Sequence, residues 1–353
     1  MNGRNYFVWL IPLALTSMAI VGALTPMFRR IAIRLEVWDL PSESHKTHRE
    51  PVPYLGGLAI KFGIVLTTFF ALWLGDFNNQ TFSLAATLLV PAIFMGVIGL
   101  LDDIFSLSPW PRFMAQTLSG LVTSIAIIIG NDAGAPFDSN LMNVLVTVLW
   151  IVGVCNAVNF LDNIDGGASG AIALTAAFVS IIAYLSDQYF VASLSVVVSG
   201  ACLGFLFWNK SPARIYMGDA GSLFLGVIIA TLAIRLDPPV ADRRVALLIP
   251  LLLLSLPILD TTTVVFSRLR RGISPFQGGR DHLSHRLLYR GLSKKQTVMT
   301  LWSIPIVFGI ISLAIVEVTS PVGRNAIALL AILILVLIFV MFTKMTYERQ
   351  GVK

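Results

Sequence analysis

Long apolar segments alternate with short polar ones along almost the whole chain. A helix that crosses a bilayer needs about 20 apolar residues, because about 30 Å of hydrocarbon is covered at about 1.5 Å per residue. The pattern predicts about eleven such helices, at residues 7–28, 54–75, 81–101, 113–130, 141–158, 167–185, 190–208, 221–235, 245–267, 297–317 and 325–343. We therefore expect an all-α, polytopic integral membrane protein with a single transmembrane domain over residues 1–353.

Composition supports the same class of protein. Of the residues, 56% are hydrophobic and 12% are charged, and soluble globular chains carry about 25% charged residues. The shortfall excludes an ordinary soluble domain and makes the lipid bilayer the main solvent. Cys155 and Cys202 both lie in apolar runs without metal-ligand spacing, so we interpret them as small core residues.

Basic residues predict how the chain is oriented. Most of the 25 Lys and Arg fall in the loops after odd-numbered spans and at the C-terminus. Such loops are typically cytoplasmic, which would leave the N-terminus outside and the C-terminus inside. The net charge of +6 is then a topology signal, and no nucleic-acid partner is expected. The two largest polar loops, residues 29–53 and 268–296, would be cytoplasmic active-site loops.

Two groups of carboxylates and amides lie at the cytoplasmic ends of spans. Asp102 and Asp103 end the third span, where adjacent carboxylates are costly unless they are solvated, paired or bound to a cation. A solvated helix end explains this pair equally well. The fifth span ends in a denser polar run, whose spacing of three places its members on one helix face and favours function. Its members are Asn156, Asn159, Asp162 and Asp165.

A third group precedes the eighth span. Asp219 stands among glycines at the start of a predicted helix, where free N–H groups suit a phosphate and a carboxylate can hold a cation. Asn209 and Tyr216 come shortly before it. Tyr216 could stack on a ring, although an interfacial Tyr is more often a membrane-belt residue.

Basic and histidine-rich loops form the fourth group. The loop before the tenth span carries Arg280, His282, His285 and Arg286, and residues 45–49 form a similar cluster that includes Lys46 and His48. Neighbouring arginines would repel zinc, whereas Arg and His together match phosphate oxygens. Such loops can also serve only as topology determinants. Asp260 is predicted about 12 Å inside the ninth span, where a carboxylate is a functional-site hypothesis by default.

These residue types together predict phosphate chemistry. Mg²⁺ binds one or two carboxylates plus substrate phosphates, and phosphoryl transfer needs mainly positioning and charge neutralisation. The membrane boundary indicates one lipid phosphate substrate and one soluble phosphorylated donor.

An ordered set of motifs from about Pro41 to Leu292 resembles the polyprenyl-phosphate N-acetylhexosamine-1-phosphate transferase family, which is related to the phospho-N-acetylmuramoyl-pentapeptide transferases. The motifs are HKTHREPVPYLGG, LLDDIFSLSP, NAVNFLDNIDGGASG, NKSPARIYMGDAGSLFLG, PILDT and GGRDHLSHRL. Each alone would be a weak signal, whereas the set in this order is specific.

The resemblance implies a reaction, a cofactor and a location. The reaction is transfer of a sugar 1-phosphate, most simply N-acetylglucosamine 1-phosphate, from a UDP-N-acetylhexosamine to undecaprenyl phosphate, with release of UMP. It would be the first membrane step of a cell-envelope polysaccharide pathway, in the bacterial inner membrane. The implied cofactor is Mg²⁺, or Mn²⁺ in its place.

The resemblance also implies roles for individual residues. Asp219 and Asp162 would bind the metal. Asp102 would deprotonate or orient the lipid phosphate, and the other catalytic candidates are Asp103, Asp162 and Asp165. The candidates for substrate binding are Lys46, His48, Asn156, Asn159, Asn209, Tyr216, Asp260, Arg280, His282, His285 and Arg286.

Departures from the family pattern leave the sugar open. The family often has a further His where Ser284 stands, and a Lys where Trp110 and Arg112 follow the Asp pair. A muramoyl-pentapeptide donor is thus one alternative. A hydrolase with water as acceptor is another, and so is a secondary transporter, although its acidic groups would be expected near the midplane. A homodimer is expected by analogy with similar membrane enzymes.

Overall fold

The computed structural model describes residues 3–39, 51–75, 79–130, 137–274 and 279–345. In these ranges it consists of helices and one pair of very short strands. The helices are α1 (Gly3–Arg34), α2 (Gly56–Leu74), α3 (Asn79–Phe105), α4 (Pro109–Gly130), α5 (Asn140–Leu161), α6 (Gly167–Leu185), α7 (Tyr189–Asn209), α8 (Gly218–Ile234), α9 (Arg243–Leu253), α10 (Ser255–Leu269), α11 (Leu283–Tyr289), α12 (Lys294–Glu317) and α13 (Pro321–Lys344). Between α1 and α2, the strands β1 (Trp38–Asp39) and β2 (Val52–Pro53) pair antiparallel.

The helical class is confirmed, but the number of eleven spans is not. In the described ranges nine helices are long and apolar enough to cross a membrane, and the bent pair α9–α10 would make a tenth. The predicted eighth span corresponds to α8, which is apolar but only 17 residues long. The predicted ninth span is wrong as a single straight helix, because α9 and α10 meet at 79°.

Pro257 accounts for the break in the ninth segment. It is the third residue of α10, and a proline there has no N–H to donate and crowds the carbonyl of residue 253. Leu254 lies between the two helices, and its N–H donates back to Pro250 O at 3.1 Å. The bend matters for function because α10 carries Asp260.

Small residues allow the helices near the centre to pack backbone against backbone. A Cβ on Gly99 of α3 would lie 2.2 Å from the carbonyl oxygen of Asp219, and one on Gly57 of α2 would lie 2.2 Å from the nitrogen of Gly221. Such close approaches are typical of membrane helix interfaces. They bring the start of α8 against both α2 and α3, and α8 is almost entirely buried.

Contacts between helix ends define one end of the bundle, which we call the site end. Gly56 N donates to Tyr216 O at 3.0 Å, so the start of α2 lies beside the segment that leads into α8. The end of α3 bonds the start of α8 through Asp103, and the start of α12 reaches Asp165 through Lys294. Among the described residues, polar groups predicted on one membrane face therefore meet at one end.

Candidate active site

Asp219 is the centre of the site. It lies in the first turn of α8. Its Oδ1 accepts a hydrogen bond from Asn159 Nδ2 at 2.8 Å, and Asn159 Nδ2 also donates to Ser222 Oγ at 2.9 Å. Its Oδ2 accepts from Arg112 Nη1 at 2.9 Å. The structure thus brings together α5 and α8, as the two separate motifs predicted.

Arg112 joins Asp219 to the Asp pair of α3. Its Nη1 lies 2.6 Å from Asp102 Oδ2 as well as 2.9 Å from Asp219 Oδ2. Sequence reasoning treated Arg112 only as a departure from the family pattern and missed this bridge. Its place in the first turn of α4, directly after the helix that ends in the Asp pair, is the signal that could have found it.

Asp103 has a different environment from Asp102. Its Oδ1 accepts from Asp219 N at 2.8 Å and its Oδ2 from Ala220 N at 3.0 Å. The preceding residue Met217 supplies no side-chain cap, so Asp103 caps α8 from another helix. Gly218 fits beneath it at φ +68°, where an added Cβ would lie 2.6 Å from Asp103 Oδ2. The carboxylate holds the turn that carries Asp219.

A second carboxylate group lies at the end of α5. Asp165 is 7% exposed, and it accepts from Tyr216 Oη at 3.4 Å and from Lys294 Nζ at 3.4 Å. Burial, and then the neighbouring Asp165, raises the pKa of Tyr216. Burial followed by the charges of Asp219 and Asp165 raises the pKa of Asp162 to about 7. The carboxylates therefore repel one another, and a cation among them would relieve that repulsion.

The histidine loop is tied to α10. Asp260 is 1% exposed; its Oδ2 lies 2.7 Å from His282 Nδ1 and its Oδ1 accepts from Leu283 N at 2.7 Å. The ring of His282 contacts the rings of Phe160 and His285 at centroid distances of 5.9 and 6.2 Å. Burial, and then the charge of His282, lowers the pKa of His285 to about 4. His285 is thus neutral near pH 7.

Three of the residues predicted to bind substrate have protein partners in the structure. Arg286 is fully buried and donates to Asp281 O, Phe342 O and Ser267 Oγ, each at 2.8 Å. Asn209 is 1% exposed, accepts from Gly166 N and Ser169 Oγ, and donates to Ile215 O. Asn156 exchanges hydrogen bonds with Gln116 at 2.7 and 3.3 Å. These contacts join neighbouring segments of the chain, and the sequence did not predict them.

Asp281 was not among the predicted residues, yet it organises the same loop. Arg268 Nη2 and Nε bind its two oxygens at 2.6 and 2.9 Å, and Arg271 Nη2 binds it at 2.9 Å. Burial would raise the pKa of Asp281, but the bonds and charge of Arg268 bring it below its usual value. Arg280 lies in this loop and is partly buried. Lys46 and His48 lie outside the described residues.

Several observations bear on a divalent cation. Within the described ranges no three side chains of His, Cys, Asp or Glu are arranged to hold a metal by themselves. Mg²⁺ commonly needs only one or two carboxylates and takes its other ligands from phosphates and water. Asp102 and Asp219 already share one cationic group, the Nη1 of Arg112. The oxygen donors and the mutual repulsion of the carboxylates fit a hard cation with Arg112 turned aside.

Comparison with known proteins identifies the family. The model of glycosyl transferase family 4 matches residues 84–237, which contain the Asp pair, the end of α5 and the start of α8. A protein of Bacillus subtilis (strain 168), named "Probable undecaprenyl-phosphate N-acetylglucosaminyl 1-phosphate transferase", is 33% identical over 310 residues. The match covers 86% of this chain and 84% of that protein. The chain belongs to glycosyl transferase family 4.

Other relatives in the family differ in what they are named for. A decaprenyl-phosphate N-acetylglucosaminephosphotransferase of Mycobacterium tuberculosis (strain ATCC 25618 / H37Rv) is 33% identical, over 84% of this chain and 80% of that protein. A phospho-N-acetylmuramoyl-pentapeptide-transferase of Lactiplantibacillus plantarum (strain ATCC BAA-793 / NCIMB 8826 / WCFS1) is 27% identical, over 84% and 94%. The resemblance drawn from the motifs is confirmed at the level of the family, and the chain is an integral membrane enzyme.

Proposed function

We propose that this chain transfers an N-acetylhexosamine 1-phosphate, most simply N-acetylglucosamine 1-phosphate, from a UDP-sugar to undecaprenyl phosphate and releases UMP. The observation that carries the proposal is the cluster around Asp219. There carboxylates from α3 and α8, an amide from α5 and a guanidinium from α4 meet at one end of the bundle. The relatives named for polyprenyl-phosphate N-acetylglucosamine transfer support this sugar and this acceptor.

In the proposed reaction, an oxygen of the acceptor phosphate bonds to the phosphorus that carries the sugar, and the bond from that phosphorus to UMP breaks. Asp219 and Asp162 would hold Mg²⁺, or Mn²⁺ in its place, which when bound neutralises charge on the donor diphosphate. Asp103 holds the first turn of α8 and so fixes Asp219. Such transfers depend mainly on positioning and charge neutralisation.

Asp102 and Arg112 would act toward the acceptor phosphate. Asp102 would take a proton from that phosphate or orient it. The side chain of Arg112 is 30% exposed, so its guanidinium can turn from the two carboxylates toward a phosphate, whose geometry it matches. The nucleotide of the donor would bind next to this cluster, against Asp165, Asn159 and Tyr216.

The site end would face the cytoplasm of a bacterial inner membrane, with the N-terminus outside and the C-terminus inside. The distribution of Lys and Arg supports this orientation. The homodimer expected from similar membrane enzymes stays a prediction.

The decisive experiment measures UMP released by purified protein with UDP-N-acetylglucosamine, undecaprenyl phosphate and Mg²⁺. We expect release to need all three. It should fall at least about 100-fold in Asp219→Asn, because the variant loses the negative charge of the Asp219 carboxylate. Asp237→Asn is the matched control, since Asp237 is exposed beyond the opposite end of α8. Its rate should equal that of the wild type.

Three outcomes would contradict the proposal in different ways. UMP release without the lipid would favour the hydrolase. Release only with a UDP-muramoyl-pentapeptide donor would show the donor specificity for which the 27% identical relative is named. No release with either donor, from protein that still unfolds cooperatively, would exclude the transferase.

A further inference from the structure

The contact between Asp260 and His282 indicates that one side chain of the site positions another. We propose that Asp260 is a positioning residue that keeps a proton of His282 on Nδ1, so that Nε2, once protonated from solvent, can donate to a phosphate oxygen of the donor. The proposal rests on the proposed function for the identity of that ligand. It differs from the sequence-based expectation, in which Asp260 itself binds substrate.

Burial and bonding of Asp260 leave it little access to a substrate. The residue is 1% exposed, and both carboxylate oxygens are engaged at 2.7 Å, one by His282 Nδ1 and one by Leu283 N. An ionised carboxylate only accepts hydrogen bonds. His282 must therefore present a proton on Nδ1, because the other tautomer would set a nitrogen lone pair against a carboxylate lone pair.

The same carboxylate also fixes the start of α11. His282 is the residue before that helix, and its own side chain does not cap the first N–H groups. Asp260 Oδ1 accepts the N–H of Leu283, the first residue of α11, from a different helix. One buried group thus sets both the ring orientation of His282 and the backbone from which the ring projects.

The other charged groups near His282 are not placed to accept a hydrogen bond from its Nδ1 in place of Asp260. Asp281 is the preceding residue, but Arg268 and Arg271 bind its oxygens. Arg280 is positively charged and His285 is neutral, so neither can accept the Nδ1 proton as a carboxylate does. On the other side the ring packs against Phe160 at the end of α5, two residues before Asp162.

This arrangement suits a phosphate ligand. With one proton fixed on Nδ1, Nε2 is the ring nitrogen left to take a second proton from solvent. The doubly protonated ring then donates from Nε2 to a phosphate oxygen, while Asp260 balances its charge. In carboxylate–histidine pairs at metal sites the carboxylate fixes the tautomer and the ring orientation, and its loss typically costs about 10–100-fold in metal affinity or activity.

Histidine NMR tests the tautomer without any assay of catalysis. The chain has 4 His, so a ¹⁵N-histidine sample gives few ring signals, and His282→Gln assigns the one in question. We expect the neutral ring of wild-type His282 to carry its proton on Nδ1. In Asp260→Asn the carboxamide can still accept from Leu283 N, while its NH₂ group faces Nδ1, and the proton should move to Nε2. A wild-type ring protonated on Nε2, or an unchanged tautomer in the variant, would overturn the proposal.

Kinetics then test the consequence for the donor. We expect Asp260→Asn to raise the KM for UDP-N-acetylglucosamine about 10–100-fold and to leave the KM for the lipid acceptor unchanged. Asp281→Asn is the control, because it loosens the same loop without touching Nδ1, and its ring signal should keep the wild-type tautomer. Equal donor KM values for wild type and Asp260→Asn would refute the positioning role. A wild-type protein with the expected tautomer but no transferase activity would refute the proposed function instead.

Discussion

The acidic residues of the site differ in what holds them. Asp103 is bound by two backbone N–H groups of α8. Asp102 and Asp219 share one guanidinium nitrogen. Asp260 is bound by a ring and a backbone group. Carboxylates bound by backbone are fixed whatever the ligand, whereas those that share a mobile cation can exchange it for another.

Gly218 tests how tightly Asp103 fits against α8. Gly218→Ala should lower the free energy of unfolding by about 2–3 kcal/mol, because it combines an unfavourable φ of +68° with displacement of a helix cap. Gly272 has the same φ of +68° with nothing within 4 Å, so Gly272→Ala should cost only about 1 kcal/mol. Thermal unfolding in detergent measures both, and equal losses would argue against the clash with Asp103.

Arg112 tests the cation site without substrate. Arg112→Met removes the guanidinium that Asp102 and Asp219 share, so their repulsion is left for Mg²⁺ to relieve. We expect Mg²⁺ to raise the melting temperature of the variant at about tenfold lower concentration than in the wild type, a difference of about 1.4 kcal/mol. NaCl at equal ionic strength is the control. Identical Mg²⁺ titrations would contradict a cation site between these carboxylates.

His285 gives a pH dependence with a definite sign. Its pKa is lowered from 6.5 to about 4 in the folded protein, so the unfolded state takes up the proton first as the pH falls. The stability contributed by neutral His285 is present above about pH 6.5 and is lost as the pH falls toward about 4. Melting temperatures at pH 7 and pH 5 should therefore differ less for His285→Gln than for the wild type. A larger difference in the variant than in the wild type would mean that His285 changes stability with pH in the opposite direction.

The sequence predicted which kinds of side chain meet in the site, but not all of their partners. Asp219 and Asn159 meet as their motifs predicted. Arg286 and Asn209 were expected to touch substrate, yet both are buried among protein acceptors and donors. A polar residue in a motif can bind a ligand or a neighbouring helix, and only the partner brought near by folding decides which.

At the scale of elements, Arg286 ties three helices together. From α11 it donates to Ser267 of α10 and to Phe342 in the last turn of α13, and it also lies 3.4 Å from Met345 O. The last carbonyls of a helix have no partner within the helix, so the guanidinium completes the end of α13. The histidine loop is thereby anchored to the C-terminal helix.

Arg286→Met should therefore act on stability more than on substrate binding. It leaves buried carbonyls without donors, and we expect a loss of about 2–3 kcal/mol. Arg290→Met is the control, since Arg290 is exposed one turn further along. Thermal unfolding and the KM for the donor should be measured on all three proteins. An unchanged melting temperature with a raised KM would favour the phosphate-binding role expected from the sequence.

The pattern of apolar residues predicted where helices lie but not how each one ends. The ninth segment reads as one apolar run, although Pro257 bends it, because hydropathy averages over a proline that removes a single N–H. Likewise α8 begins three residues earlier than predicted, at Gly218, since its cap comes from Asp103 on α3. Long-range caps of this kind leave no local signal.

At the scale of the molecule, helix ends of opposite polarity converge on the site. The ends of α3, α5 and α7 meet the starts of α4, α6 and α8 there, through Asp102 with Arg112, Asn159 with Asp219, and Asn209 with Gly166. Up-and-down packing of this kind gathers distant motifs at one membrane face. Arg29, Arg271 and Lys294 lie at that same end, and the bias of Lys and Arg toward these loops is the basis for placing it in the cytoplasm.

Cysteine labelling tests that orientation directly. Cys155 and Cys202 are both buried, so the wild type should react little with a membrane-impermeant maleimide. Ser108 is exposed at the site end, between α3 and α4, and Ala241 is exposed before α9 at the opposite end. In intact spheroplasts we expect Ala241→Cys to be labelled at once and Ser108→Cys only after the membrane is broken. The reverse pattern would place the acidic cluster outside the cell, where a cytoplasmic sugar nucleotide could not reach it, and the positive-inside argument would be wrong for this chain.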